Sequence, residues 1–535
     1  MSELFNAAEY LTERRTAAGD GARVAVRHPG GTLTYTELVT RVRRVAGGLA
    51  GIGVRPEERV VLCMADDVEL FTAILATMYL GAVAVPCSTM LTGRELAVLV
   101  ADSRARVLIG SHQFSDVVQL AAAAAPDLRH LVLAGPDRID PVPVAHTPGF
   151  AMCTWEQMCA SGEPLSVAAT TWDESPALWL YTSGTTGRPK GAMHRHADIR
   201  FVCETYGAQV LRIRRDDVCL SVAKLFFAYG IGNSMFFPLS VGASTVLEPA
   251  RPTLEAIAGH VREHAVTLLF GVPSFWGPLL ASDLPDGALR GVRQGVSAGE
   301  ALPERMFTGI RSRFGVEILD GIGSTEALHI FISNRAGAAV PNSSGFPVPG
   351  YDVELRRPDG TVIERPGEPG MLWVSGDSIC TGYWCRTPVN RAVFQGEWMR
   401  TGDQYVRNAD DSLTCLGRAD DVLKVGGIWV APAEVESRLL EHPGLAEAVV
   451  VGVPDDDGLD KPVAYVVAMP GAVVDPDEVI AFCRAGLASF KRPRAVVVVA
   501  ELPKTATGKV QRYRLREMPG SDAVAAAINH QAGNV

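Results

Sequence analysis

The densest chemistry in the chain lies in eleven residues, Tyr181-Thr182-Ser183-Gly184-Thr185-Thr186-Gly187-Arg188-Pro189-Lys190-Gly191. The glycines let backbone N–H groups turn inward, the Ser/Thr hydroxyls donate to anionic oxygens, and Lys190 supplies positive charge. Such a set suits nucleotide phosphates. It is not the ordinary P-loop, because G-x-x-x-x-G-K-[ST] fits nowhere in it. A flexible linker has a similar composition, but the apolar run ALWL before this segment and Pro-Lys-Gly at its end favour a phosphate loop. Lysine is scarce elsewhere: only seven of the 50 basic residues are Lys, at 190, 224, 424, 461, 491, 504 and 509. Lys224 sits in an apolar segment, where an unpaired ammonium is costly, so a partner is expected for it. His194 and His196 form H-x-H without a third ligand nearby, which reads as structural rather than metal-binding.

These residues need a scaffold, and the chain has the length for one. Its 535 residues predict several domains or one large domain with a satellite. A formal charge of −10 argues against a nucleic-acid binder held by a broad basic surface. The ten cysteines are scattered without a C-x-x-C pair; Cys380 and Cys385 are nearest, and no zinc site surrounds them. No apolar run approaches the roughly 18 residues of a membrane span, and MSELFNAAEYLTERR does not read as a secretory signal. A cytoplasmic protein with reduced thiols and no membrane contact is expected.

From about residue 58, apolar runs at 59–64, 82–87 and 105–109 alternate with helix-like stretches at 67–80 and 93–102. The rhythm returns with runs at 218–222, 244–247 and 267–270. Alternation of this kind predicts βαβ units on parallel sheets. The region 345–415 is punctuated by Gly and Pro and reads as short strands. Beyond 421 the pattern is α+β, with runs at 447–453, 463–468 and 495–499 and a helix over 476–487. The polar stretch GRADD marks the best boundary, near 418–421.

The segment TSGTTGRPKG resembles the phosphate-loop signature of the acyl-adenylate-forming superfamily. Further motifs of that superfamily follow in order: Ser297-Ala298-Gly299-Glu300-Ala301, Asp320-Gly321-Ile322-Gly323-Ser324-Thr325-Glu326, Thr401-Gly402-Asp403, Gly417-Arg418-Ala419-Asp420-Asp421, Lys424-Val425-Gly426-Gly427 and Pro503-Lys504-Thr505-Ala506-Thr507-Gly508-Lys509. The segments AKLFFAYGIGN and LDGIGSTEALHIFISNRAG are similar to those of benzoate-CoA ligases. The resemblance implies an α/β fold: a large N-terminal domain (1–419) with stacked sheets and helices, including a β-rich subdomain at about 345–418. A small mobile α+β C-terminal domain (420–535) would follow a hinge at 418–421, with Asp420 as pivot. A plain linker there would give the same boundary.

The implied reaction is benzoate or a substituted benzoate plus ATP and CoA to aryl-CoA, AMP and pyrophosphate. A carboxylate repels nucleophiles and has oxide as its leaving group, so it must first become an acyl-adenylate. That step brings an anion to a polyanion, and cations and fixed dipoles must offset the repulsion. By resemblance, Thr182, Ser183, Thr185, Thr186 and Lys190 hold the β- and γ-phosphates and Thr325 contacts the α-phosphate, with Gly184, Gly187 and Ser324 also in the ATP site. Glu326 holds Mg²⁺, which takes few protein carboxylates. Gly299, Glu300, Ala301, Asp320, Gly321 and Ile322 frame the adenine, Ile322 standing where the superfamily usually has an aromatic ring. Asp403 accepts from the ribose hydroxyls beside Arg418.

Lys509 bridges the substrate carboxylate and the α-phosphate in this picture; the alternative is a solvated surface lysine. Ala228, Tyr229, Gly323, His329 and Ile330 form the aryl-acid pocket, with His329 either its polar element or a packed core histidine. After rotation of the C-terminal domain, Lys424, Gly427 and Trp429 border the pantetheine thiol. A rival reading delivers the acyl group to an acyl carrier protein instead of CoA, and the resemblance leaves room for a homodimer. A non-catalytic nucleotide sensor is disfavoured by intact Lys190, Glu326, Asp403 and Lys509.

Overall fold

In the computed structural model the structure describes residues 3–135, 150–183, 189–418, 423–425, 428–430, 432–454, 460–487, 491–504, 510–516 and 518. The first alternating region becomes a seven-stranded sheet in the order Ala151–Thr154, His130–Ala134, Val107–Ser111, Arg59–Cys63, Val83–Pro86, Pro176–Ser183, Pro189–Arg195. Its neighbours run parallel except the last pair, which is an antiparallel hairpin. The central strands are buried along most of their length, as expected of a parallel sheet covered on both faces.

The second alternating region belongs to a nine-stranded sheet: Phe346–Pro347, Ile330–Ser333, Ile318–Gly323, Gln294–Ser297, Leu268–Gly271, Val218–Ser221, Ser244–Val246, Val24–His28, Gly31–Thr34. The last two strands come first in the chain and join through parallel pairing of Val24–His28 with Ser244–Val246. Periodicity from residue 58 onward carries no hint of them. Phe346–Pro347 also belongs here, so the antiparallel β-rich sheet begins at Tyr351–Arg356, not at 345. That sheet continues through Pro369–Gly376, Phe394–Gln395, Trp398–Arg407 and Leu413–Arg418.

One core cluster joins the facing sides of the two large sheets, from Val60, Leu62 and Leu178 to Leu268, Phe270 and Ile332. The helix Val68–Tyr79 is buried on nearly every side within it. Helices Gly93–Ser103 and Ser115–Ala123 cover the outer face of the seven-stranded sheet. Leu254–His264, Pro273–Ala281 and Glu304–Phe314 cover that of the nine-stranded sheet. Local sequence sets the helix starts: Thr34 with Glu37 and Thr92 with Glu95 form capping boxes, each satisfying otherwise orphaned N–H groups. From Leu423 on, the strands Leu445–Pro454, Asp460–Ala468 and Ala495–Val498 pack with helices Pro432–Leu440 and Pro476–Gly486 around separate small cores. All ten cysteines are free thiols, and among the described residues no helix is long and apolar enough to cross a membrane.

Candidate active site

The strands Pro176–Ser183 and Pro189–Arg195, an antiparallel hairpin, flank the segment read above as a phosphate loop, with Thr182 in register with Lys190. Gly184, Thr185, Thr186 and Gly187 lie outside the described residues, as does the Ser183 side chain. Next to its turn the hairpin is held by Asp102 of the helix Gly93–Ser103 and by Arg386. Tyr181 donates to Asp102 Oδ2 at 2.9 Å, and Arg386 donates to Asp102 Oδ1 at 2.6 Å and to the Pro189 carbonyl at 3.0 Å. Lys190 Nζ then stands 4.6 Å above the centre of the Tyr383 ring. The Tyr383 hydroxyl donates to Glu326 Oε1 at 2.6 Å.

Glu326 and Thr325 follow the strand Ile318–Gly323, which runs parallel to Gln294–Ser297 with Ser297 opposite Asp320. The Gly299-Glu300-Ala301 segment leaves the carboxyl end of Gln294–Ser297, so the two motifs meet at the carboxyl ends of two adjacent interior strands. Crevices beyond the carboxyl ends of parallel strands are the usual ligand sites of such folds. Gly299 has φ +97°, a conformation that favours glycine. Asp320 is buried; its Oδ2 accepts from the Leu302 amide at 3.3 Å, and its Oδ1 has no hydrogen-bond partner among the described residues. Burial pushes its carboxyl up to about 8.

The H-x-H histidines are structural. His194 Nδ1 lies 3.0 Å from Asp198 Oδ2, and its Nε2 lies 2.8 Å from the Thr325 carbonyl oxygen, so this ring ties Thr325 to the strand Pro189–Arg195. His196 accepts from the Ala7 amide at 3.0 Å, and burial lowers it to about 4, leaving it neutral. No His/Cys/Asp/Glu group suited to holding a metal by itself occurs among the described residues. Ser324 Oγ accepts from the Ala327 amide at 3.2 Å, and the Cys380 amide donates to the Glu326 carbonyl at 2.8 Å.

The β-rich sheet contributes the next pair. Asp403 faces Arg418 in register, and Arg418 Nη1 donates to Asp403 Oδ1 and to the Thr401 carbonyl, both at 3.0 Å. Gly402 has φ +82°, and a Cβ there would stand 2.7 Å from Arg418 Nη2.

Tyr229 and His329 lie together between the two large sheets. Tyr229 Oη is 3.1 Å from the Gly271 carbonyl and 3.2 Å from that of Val296. His329 is 2 % exposed and packs against Tyr206, Tyr229 and Phe237, with Nε2 3.1 Å from Asn233 Oδ1. Burial lowers it to about 3, so the ring is neutral. A Cβ on Gly232 would stand 2.4 Å from His329 Cδ2, and one on Gly323 would stand 2.5 Å from the His329 carbonyl oxygen. Ala228 opens the short helix Ala228–Ile231, Ile330 opens the strand Ile330–Ser333, and Ile322 is half-buried in register with Ile332. Asn233, Tyr206 and Tyr383 are not singled out by motif or spacing. Asn233 has a signal, one helical turn beyond Tyr229; Tyr383 has none, since its partners are distant in the chain.

Lys424 and Trp429 are paired across the hairpin Leu423–Val425/Ile428–Val430, and their side chains are outside the described set. Gly427, Asp420 and Lys509 also lie outside the described residues. Lys224, expected to be paired, donates to the carbonyls of Glu248 and Ala250, the latter at 2.7 Å.

Residues 13–384 match the AMP-binding enzyme family and residues 434–509 match the AMP-binding enzyme C-terminal domain; the chain belongs to this family of adenylate-forming enzymes. Within it, the chain is 41 % identical over 522 residues to a benzoate–CoA ligase of Thauera aromatica, covering 96 % of each chain. Among solved structures, a benzoate CoA ligase from Burkholderia xenovorans LB400 is 40 % identical with a TM-score of 0.86, covering 96 % of this chain and 100 % of that one. The anthranilate CoA ligase AuaEII, in complex with anthranoyl-AMP, is 36 % identical with a TM-score of 0.90 and 98 % coverage of both chains.

Proposed function

We propose that the chain is an ATP-dependent aryl-acid:CoA ligase acting on benzoate or a small ring-substituted benzoate. The observation that carries this reading is a single edge between the two large sheets. There Lys190, Thr325 and Glu326 converge, and the neighbouring aromatic cluster of Tyr229, Tyr206 and a neutral His329 offers no charged partner to a substrate. A flat aromatic ring suits that cluster, and its carboxylate would point toward the phosphate side.

In the first half-reaction a carboxylate oxygen bonds to the α-phosphorus of ATP and the bond to pyrophosphate breaks. Lys190 and the loop hydroxyls offset charge on the departing phosphates, Asp320 and the Gly299 turn hold the purine, and Asp403 holds the ribose. The orphaned, buried Asp320 Oδ1 fits a purine edge that completes its hydrogen bonding. Glu326 fits a magnesium ion: it is a hard oxygen donor, one carboxylate suffices, and waters and phosphates complete the shell. When bound, the ion neutralises phosphate charge. Lys509 bridges the two reacting anions. In the second half-reaction the CoA thiolate attacks the acyl carbon and AMP leaves, with Lys424, Gly427 and Trp429 bordering the thiol.

Incubation with ATP, Mg²⁺ and a panel of acids tests this. Pyrophosphate release should require an aryl acid, and CoA should then yield a thioester. Adenylation without a CoA thioester transfers the acceptor role to a carrier-protein thiol, and activity on aliphatic acids alone removes the pocket assignment. Lys509→Ala should lose adenylation by about 10²–10³-fold, the usual effect of deleting one transition-state contact, yet still convert supplied aryl-adenylate.

A further inference from the structure

Tyr383 touches two groups that the proposed reaction needs, although no phosphate or nucleotide motif contains it. Its hydroxyl meets Glu326 at 2.6 Å, and its ring face meets the Lys190 ammonium at 4.6 Å. No salt bridge joins Lys190 to Glu326 among the described residues. A direct ion pair would neutralise both groups and withdraw them from a ligand. The ring satisfies each from a different side and keeps the charges apart.

The surroundings hold Tyr383 in place from several directions. Asn390 Oδ1 accepts from its amide at 2.8 Å, and Asn390 Nδ2 donates to its carbonyl at 2.9 Å. Tyr383 forms a bridge with Ala192, two residues beyond Lys190. Its ring packs on Phe394 at 5.4 Å and is 3 % exposed. Gly382, at φ +132°, sets the turn, and a Cβ there would meet Asn390 Nδ2 at 3.1 Å.

We infer that Tyr383 is a positioning residue that couples the metal-holding carboxylate of Glu326 to the phosphate-holding ammonium of Lys190. The inference rests on the reading of Glu326 and Lys190 given above. Its two arms separate by substitution: Tyr383→Phe removes the hydroxyl and keeps the ring face, and Tyr383→Leu removes both.

Calorimetric titration with an α,β-methylene analogue of ATP, at a series of Mg²⁺ concentrations and without acid, reads both arms. Tyr383→Phe should need about tenfold more Mg²⁺ for half-maximal analogue binding, the effect of losing one hydrogen bond to a charged group, and should bind normally at saturating Mg²⁺. Tyr383→Leu should in addition lose about tenfold in analogue affinity that Mg²⁺ does not restore. Both should convert supplied aryl-adenylate at rates within about twofold of the unsubstituted protein. Unchanged Mg²⁺ dependence in Tyr383→Phe, with a changed one in Glu326→Gln, overturns the inference alone. Unchanged Mg²⁺ dependence in Glu326→Gln removes the reading of Glu326 itself. Equal loss in both half-reactions makes Tyr383 merely structural and overturns the inference.

Discussion

At the scale of single residues, the site is built from buried groups whose charge states burial has set. His196 and His329 are held neutral, at about 4 and about 3, so they favour unfolding only as pH falls below the ordinary histidine range. Asp320 acts in the opposite direction. Raised to about 8, it binds its proton more tightly in the folded state than in the unfolded chain, so stability falls as pH climbs from the ordinary carboxylate range toward 8. The histidine contributions still rise with pH near 6.5 and flatten only above about pH 7.5, so the Asp320 decline, about 1.4 kcal/mol per pH unit at most, is read as a difference from a variant that lacks it. Asp320→Asn keeps an acceptor for the Leu302 amide and removes the titration. Urea unfolding from pH 6.5 to 8 should therefore show the unsubstituted protein losing about 2 kcal/mol relative to the variant; equal slopes would refute the assignment. Lysines follow the same logic of partnership: Lys190 has an aromatic face, Lys491 pairs with Glu434 and Lys504 with Glu447.

At the scale of elements, the segment between the strand Val218–Ser221 and the helix Ala228–Ile231 ties the two large sheets together beneath Tyr229. Asp66, just beyond the strand Arg59–Cys63, accepts from the Leu225 amide at 2.8 Å. Lys224 reaches across to carbonyls that follow Ser244–Val246, and it offsets part of the burial that raises Asp66 to about 7. Gly230 sits against the Lys224 carbonyl, where a Cβ would approach to 2.0 Å. Lys224→Met leaves two carbonyls without their donor and Asp66 without its countercharge. It should lower stability by about 2–4 kcal/mol. Because the helix carrying Tyr229 would shift, the KM for the aryl acid should rise about tenfold while that for ATP stays unchanged. Steady-state kinetics with each substrate varied separately check this, and equal rises would show a general loosening instead.

At the scale of the molecule, the described residues from Leu423 onward bury their apolar side chains in clusters that share no member with the core between the large sheets. A part with its own core is free to be repositioned as a unit. On the proposed mechanism it supplies Lys509 for one half-reaction and the Lys424–Trp429 hairpin for the other, turning about Asp420. Proline at position 420 fixes φ near −65° and so admits one orientation. Asp420→Pro should keep one half-reaction within a few-fold and lose the other by at least about tenfold. Pyrophosphate release and conversion of supplied aryl-adenylate, assayed separately, decide it; two equal losses, or none, would sink the alternation.

Much of the fold is legible in the chain itself. Runs read at 59–64, 82–87 and 105–109 are the strands Arg59–Cys63, Val83–Pro86 and Val107–Ser111, and the helix read at 476–487 is Pro476–Gly486. Those signals are local: a buried parallel strand must be apolar along its length, and a helix must repeat its apolar face. The family is legible for the same reason, since each of its motifs packs its glycines, hydroxyls and charges into a few consecutive residues. Pairing across the chain has no such signature. Val24–His28 joins the nine-stranded sheet because Ser244–Val246 offers it a parallel partner, which no period in either segment announces. His194 reaches Thr325 across 131 residues, Asn233 reaches His329 across 96, and Tyr383 reaches Glu326 across 57. The sequence by itself determined many of the strands and helices from residue 58 onward, because backbone and side-chain periodicity act over a few residues. Only the tertiary structure decided which side chains meet, because those contacts depend on how distant elements stack.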